Sequence, residues 1–167
     1  MMLHFLRVTS ELFGLQPVGQ KPDRPPNWEL RARCENSSES NCLFVQQLVA
    51  LSKKNQRDGK DAQRAMNKLF HVTATGLPLE DFYDKKQCHV AHEFSYLGVF
   101  CKIWRIRQGA VRIYFSYAQE KVIYLAAVAA KRKDKLSKSE KDSLEQEITL
   151  YLNAEANHSL VEVELQQ

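Results

Sequence analysis

At 167 residues, 44% of them hydrophobic and 26% charged, the chain has the size and composition of a globular protein that buries one core. No apolar run approaches the ~20 residues of a membrane span, and His4, Arg7 and Glu11 interrupt the first fifteen positions, so neither a spanning segment nor a secretory signal is expected. A cytosolic location follows, where the irregularly spaced Cys34, Cys42, Cys88 and Cys101 read as free thiols.

Residues 1–16 are an apolar mixture that fits a short helix or a strand equally well. Pro17, Gly19, Pro22, Pro25 and Pro26 then give the composition of a linker, since proline removes backbone donors and fixes an extended path. The expected organisation is an appendage and linker over 1–27, a main domain over 28–153 and an acidic tail over 154–167. Trp28 to Cys34 alternates apolar and charged residues as a half-buried strand does, and is expected to be an outer strand. Phe44, Val45, Leu48, Val49 and Leu51 form an apolar stripe at helical spacing, and Ala62, Ala65, Met66, Leu69 and Phe70 form a second, starting near Gly59 or Lys60. The two predict a helical hairpin across a sheet, with about eight connecting residues.

From Val72 to Ser95 periodicity fails, and Gly76 with Pro78 marks a turn and loop. Cys88, His89 and His92 are metal-ligand types within five residues. A tetrahedral site needs further ligands at zinc-like spacing and no second Cys/His cluster supplies them, so neither a metal nor any other cofactor is expected. Hydrogen-bonding histidines are the simpler reading. Glu93 is a candidate base if it faces the arginines that follow, and otherwise an exposed ion-pairing carboxylate.

The stretch from Val99 to Lys138 dominates the chain. Three β-rich runs separated by Gln108-Gly109-Ala110 and Ala118-Gln119-Glu120 predict an antiparallel meander. In the middle run Val111, Ile113, Phe115 and Tyr117 share one face and Arg112, Tyr114 and Ser116 the other; in the first, Arg105 and Arg107 oppose Lys102, Trp104 and Ile106. The third run is almost wholly apolar, as a strand covered on both faces should be, and ends in Lys131-Arg132-Lys133. This stretch carries +8 in a chain of only +4. Such segregation on a small sheet suits an anionic partner, and arginines on a strand suit bidentate phosphate contacts. A solvated sheet edge guarded by lysines is the bland alternative, and it leaves Arg105, Arg107 and Arg112 without a reason. Ser137 with Glu140 then fits a capping box opening a helix over about Ser139 to Asn153, and residues 139–167 carry −6. Leu160 to Leu165 alternates apolar and acidic residues, which fits a short strand.

The order strand, helical hairpin, basic meander, helix resembles the RelE/ParE superfamily of bacterial toxins. The specific match is the run Trp104-Arg105-Ile106-Arg107-Gln108-Gly109-Ala110-Val111-Arg112-Ile113-Tyr114, together with Lys131-Arg132-Lys133 after an apolar strand, which is most similar to the HigB and phage-type branch. The resemblance implies an α+β, RelE-like fold: a helical hairpin and a C-terminal helix on a small, mostly antiparallel twisted sheet. It further implies a toxin of a type II toxin-antitoxin system that cleaves messenger RNA on the ribosome by 2′-hydroxyl attack on the adjacent phosphate, restrained by a cognate antitoxin. On that pattern Arg112 and Arg132 would stabilise the transition state, Arg105 and Arg107 would orient phosphate or move protons, and Lys102, Lys131, Lys133 and Lys135 would bind RNA. The tyrosine or histidine that some relatives place after the last arginine is missing, so acid and base are unassigned, with Glu93, His92 and Tyr114 as candidates. Gyrase-directed relatives share the fold without nuclease residues, so a non-catalytic toxin or nucleic-acid-binding module is the alternative. An inactive scaffold, its cations paired with the acidic last helix, is a third reading. Shielding of the site by residues 1–27 or by the acidic tail is a less favoured alternative to their being oligomer contacts or plain solvated ends.

Overall fold

In the computed structural model the described residues are 2–19, 22–133 and 135–165. Met1, Gln20, Lys21, Asp134, Gln166 and Gln167 lie outside them, and with them the anion Asp134 of the basic stretch and parts of the expected linker and tail. The strands are β1 (Leu3–Arg7), β2 (Glu29–Cys34), β3 (Cys88–Tyr96), β4 (Val99–Gln108), β5 (Val111–Ala118), β6 (Val122–Ala130) and β7 (Leu160–Glu162); the helices are α1 (Leu43–Lys54), α2 (Gln56–Thr73) and α3 (Lys138–Ala156). All seven strands join one sheet in the order β3-β4-β5-β6-β2-β1-β7. Its inner pair β2 and β6 is parallel, as is β1 with β7, and the other neighbours are antiparallel.

This corrects the small RelE-like sheet expected from the sequence. The sheet is larger and mixed, and both chain ends contribute strands to it. Leu3, Phe5 and Leu6 are buried in β1, which separates β2 from the edge, so β2 is an interior strand rather than an outer one. The last residues of the proline-rich stretch run beside the turn that follows α2. Gly76, at φ +69°, approaches Pro25 and Pro26 so closely that a Cβ there would lie 2.5 Å from both carbonyl oxygens, and the Trp28 indole donates to the Leu77 carbonyl at 2.9 Å.

The apolar alternation of each strand divides the core between the two sheet faces. One face carries Leu30, Ala32, Ile106, Val111, Ile113, Phe115, Ile123 and Leu125, covered by Phe44, Leu48 and Leu51 of α1 and Ala62, Met66 and Leu69 of α2. The other carries Phe5, Ile103, Tyr114, Val122, Tyr124 and Ala126 beneath Leu144, Ile148, Tyr151 and Ala154 of α3. β6 is apolar throughout because both its faces are covered. A register shift places Phe115 opposite Leu125 and Tyr114 opposite Ala127, so Ala126 is the extra residue of a β-bulge.

The helical hairpin is tighter than expected. Asn55 ends α1 and caps α2, its side chain accepting from the Asp58 amide at 3.1 Å, and α2 begins at Gln56. The polar first turns of α2 carry no apolar stripe, which is why periodicity placed its start later. β3 escaped periodicity for another reason: it is a half-exposed edge strand, and its register shifts between Val90 and His92, breaking the alternation. The cap of α3 is as expected, with Ser137 and Glu140 forming a reciprocal capping box. Among the described residues no helix is long and apolar enough to cross a membrane.

Candidate nucleic-acid interface

Sheet register gathers many of the predicted cations at one end of the sheet. Arg107 lies opposite Arg112 across the β4–β5 hairpin, whose turn holds Gly109 at φ +57°. The Lys131 amide donates to the Ala110 carbonyl at 2.7 Å, so the basic run after β6 emerges beside that same turn. Arg107, Arg132, Lys133 and Lys135 are exposed there. Residues 130–133 with Lys135, Leu136, Ser137 and Glu140 line an open cavity of about 570 Å³ on this end.

Two arginines of the predicted set have gone inward instead. Arg105 and Arg112 are only 3% and 2% exposed. Strand alternation puts both on the face of Tyr114, which lies in the core cluster beneath α3. Arg112 Nη1 donates to the carbonyls of Gly109 at 2.6 Å and Val111 at 3.2 Å, bracing its own hairpin turn. Arg105 Nη2 donates to the Lys86 carbonyl at 2.7 Å and so holds the segment that enters β3.

The cations after β6 are anchored by carboxylates from different layers. Arg132, with 64% of its side chain exposed, reaches Asp58 of α2 at 3.1 Å, whose own side chain is 6% exposed. Lys131 Nζ instead meets Glu140 of α3 at 2.7 Å. That ammonium, with the Ser137 amide, holds the Glu140 carboxyl below the usual carboxylate range. Arg112 and Arg132 are therefore held on opposite sides of the sheet, one on the α3 face and the other by α2.

The acid and base candidates lie away from this end. Glu93 is exposed opposite Lys102, on the face away from Arg105 and Arg112. His92 binds Glu145 of α3, Nε2 to Oε1 at 2.5 Å, and Tyr114 is buried. The Cys88-His89-His92 trio diverges, because Cys88 points into the core beneath α1 and α2 while register places His89 opposite Arg105 and His92 opposite Ile103. Burial pushes the Cys88 thiol up to about 12. Among the described residues no group of three or more His, Cys, Asp or Glu could hold a metal.

Periodicity missed Asp58 and Asp61. A carboxylate in the first turns of a helix reads as favourable at the positive end of the helix dipole and nothing more. Asp58 anchors Arg132, and Asp61 packs so closely on Gly109 that a Cβ there would lie 2.9 Å from its Cγ. The acidic character of α3 also acts locally, since Glu147 pairs with Arg33 at 2.8 Å, well away from the basic run. The first residues, in β1, lie on the far side of β2 from the meander. The chain matches no protein-family model, no curated protein and no solved structure.

Proposed function

We propose that this chain is an RNA-directed toxin of the RelE/ParE kind, which grips the phosphate backbone of messenger RNA with the basic end of its sheet and stops translation by cleaving the transcript. The observation that carries this reading is the placement of Arg107, Arg132, Lys133 and Lys135, from two parts of the meander, at one end of the sheet, Arg107 on the α3 face and Arg132 held by α2. Phosphodiester cleavage by a neighbouring 2′-hydroxyl asks for cations around the pentavalent phosphorus and for proton transfer at the attacking and leaving oxygens. Arg132 suits the first role, since most of its side chain is exposed and its planar guanidinium, while held by Asp58, presents further donors to a phosphate. An antitoxin of complementary acidic character would cover the same end.

The burial of Arg105, Arg112 and Tyr114 favours a second reading, a non-catalytic module that binds nucleic acid or inhibits gyrase through the same cations. Induced expression separates the two. A nuclease arrests growth and creates new transcript ends in primer extension; a binding module arrests growth, weakens gyrase supercoiling or sequesters nucleic acid, and leaves transcripts whole. The variants to compare are Lys133→Ala with Lys135→Ala, and Arg107→Ala, all at exposed positions. Unchanged growth on expression of the wild-type chain would refute both readings and leave a scaffold.

A further inference from the structure

Outside the basic end, one chemically distinctive feature is a pair of thiols. Cys34 closes β2 and Cys42 precedes α1, and the two face each other as an isolated antiparallel bridge. The Glu35 amide donates to the Asn41 carbonyl at 3.1 Å, one residue inside the pair. Cys34 and Cys42 are therefore the kind of antiparallel pair that exchanges no main-chain bonds, with Cα atoms about 4.5 Å apart and side chains close. That spacing falls within the roughly 4.4–6.8 Å a disulfide requires. The connecting loop is already tied, because Asn36 Oδ1 accepts from the Ser38 amide and from Asn41 Nδ2, both at 2.9 Å.

The two sulfurs are chemically unequal. Cys42 stands at the start of α1, where the Cys34 thiol and the amides of Val45 and Phe44 favour its thiolate and hold its pKa below the ordinary thiol value. Cys34 is pushed up, first by donating to Cys42 and then by burial. Both are nearly inaccessible, at 3% and 0% exposed, so only a small oxidant reaches them.

We propose that Cys34 and Cys42 are a dithiol that hydrogen peroxide converts to a disulfide, fastening the end of β2 to the start of α1. The Cys42 thiolate attacks one peroxide oxygen, the O–O bond breaks, and the departing hydroxide takes up the proton Cys42 has lost. The sulfur of Cys34 then attacks that of the Cys42 sulfenic acid, the S–O bond breaks, and water leaves with the Cys34 proton. Two thiols are oxidised and one peroxide is reduced to water, with nothing further consumed. Cys88 is buried on its own strand and Cys101 lies elsewhere on β4, so neither competes.

The folded full-length protein is treated with hydrogen peroxide below its unfolding temperature, then denatured, alkylated without reductant and digested with trypsin. Cleavage after Arg33 and Lys53 leaves both cysteines in one peptide. That peptide should lose two hydrogens in mass and carry no alkyl group, while Cys88 and Cys101 remain alkylated. In Cys34→Ser, dimedone added together with the denaturant after peroxide treatment should trap the sulfenic acid on Cys42. Alkylation of both Cys34 and Cys42 after peroxide treatment would overturn the proposal, as would their linkage to Cys88, to Cys101 or to a second chain. Formation of the bond only in denaturant would overturn it too.

Discussion

Replacing Arg112 with alanine should unfold the protein at a markedly lower temperature, whatever else it does. The residue is 2% exposed, and its guanidinium donates to two backbone carbonyls, those of Gly109 and Val111. A hydrogen bond from a charged donor contributes roughly 1.5–3 kcal/mol. The Gly109 carbonyl sits in a turn where water can replace part of what is lost, so a total near 3 kcal/mol is the reasonable sum of the two bonds. In a chain of this length each kcal/mol moves the midpoint by about 2–4 °C, which gives a fall of about 6–12 °C. Arg107, opposite it on the same hairpin but exposed, should move the midpoint by less than about 2 °C when changed to alanine, as surface substitutions do. Thermal unfolding followed by circular dichroism reads both. An Arg112→Ala variant that melts with the wild type would refute the assignment of Arg112 to the scaffold.

Glu140→Gln keeps a capping-box acceptor but removes the charge that Lys131 holds. Because the Glu140 pKa is depressed on folding, its contribution is present above the unfolded carboxyl pKa and lost as pH falls through the folded one. Wild type should therefore melt above the variant near neutral pH, and the gap should shrink as pH falls through the carboxylate range; a gap that widens on acidification would contradict this. Oxidation of Cys34 and Cys42 should raise the midpoint reversibly. Closing so short a loop contributes about 2.5 kcal/mol by chain entropy, or about 5–10 °C, and dithiothreitol should abolish the gain. A midpoint that falls on oxidation would mean the cross-link strains the fold.

The parts of the fold legible in the sequence were those with a strong period and two-sided burial. The α1 and α2 stripes, the meander and the Ser137 cap all carry local signals that tertiary packing reinforces. Strands β1, β3 and β7 were not legible as members of one sheet. β1 and β7 are short, and their parallel pairing joins the two ends of the chain, which no local pattern encodes. A bulge erased the alternation of β3. At the site, alternation correctly placed Arg112 beside Tyr114 and away from Val111 and Ile113. It could not show that this second face would also be roofed, by α3. Arginines that look like a phosphate grip on an open strand become braces for carbonyls once a helix covers them.

Salt dependence of single-stranded RNA binding, read by fluorescence anisotropy, tests most directly whether the exposed sheet end is the working surface. Each neutralised phosphate contributes about −0.7 to the slope of log affinity against log salt, so engagement by Arg107, Arg132, Lys133 and Lys135 predicts a slope of about −2 to −3. Lys133→Ala with Lys135→Ala should bring that slope about 1.4 closer to zero. A slope that the double variant leaves unchanged, or binding indifferent to salt, would contradict the account.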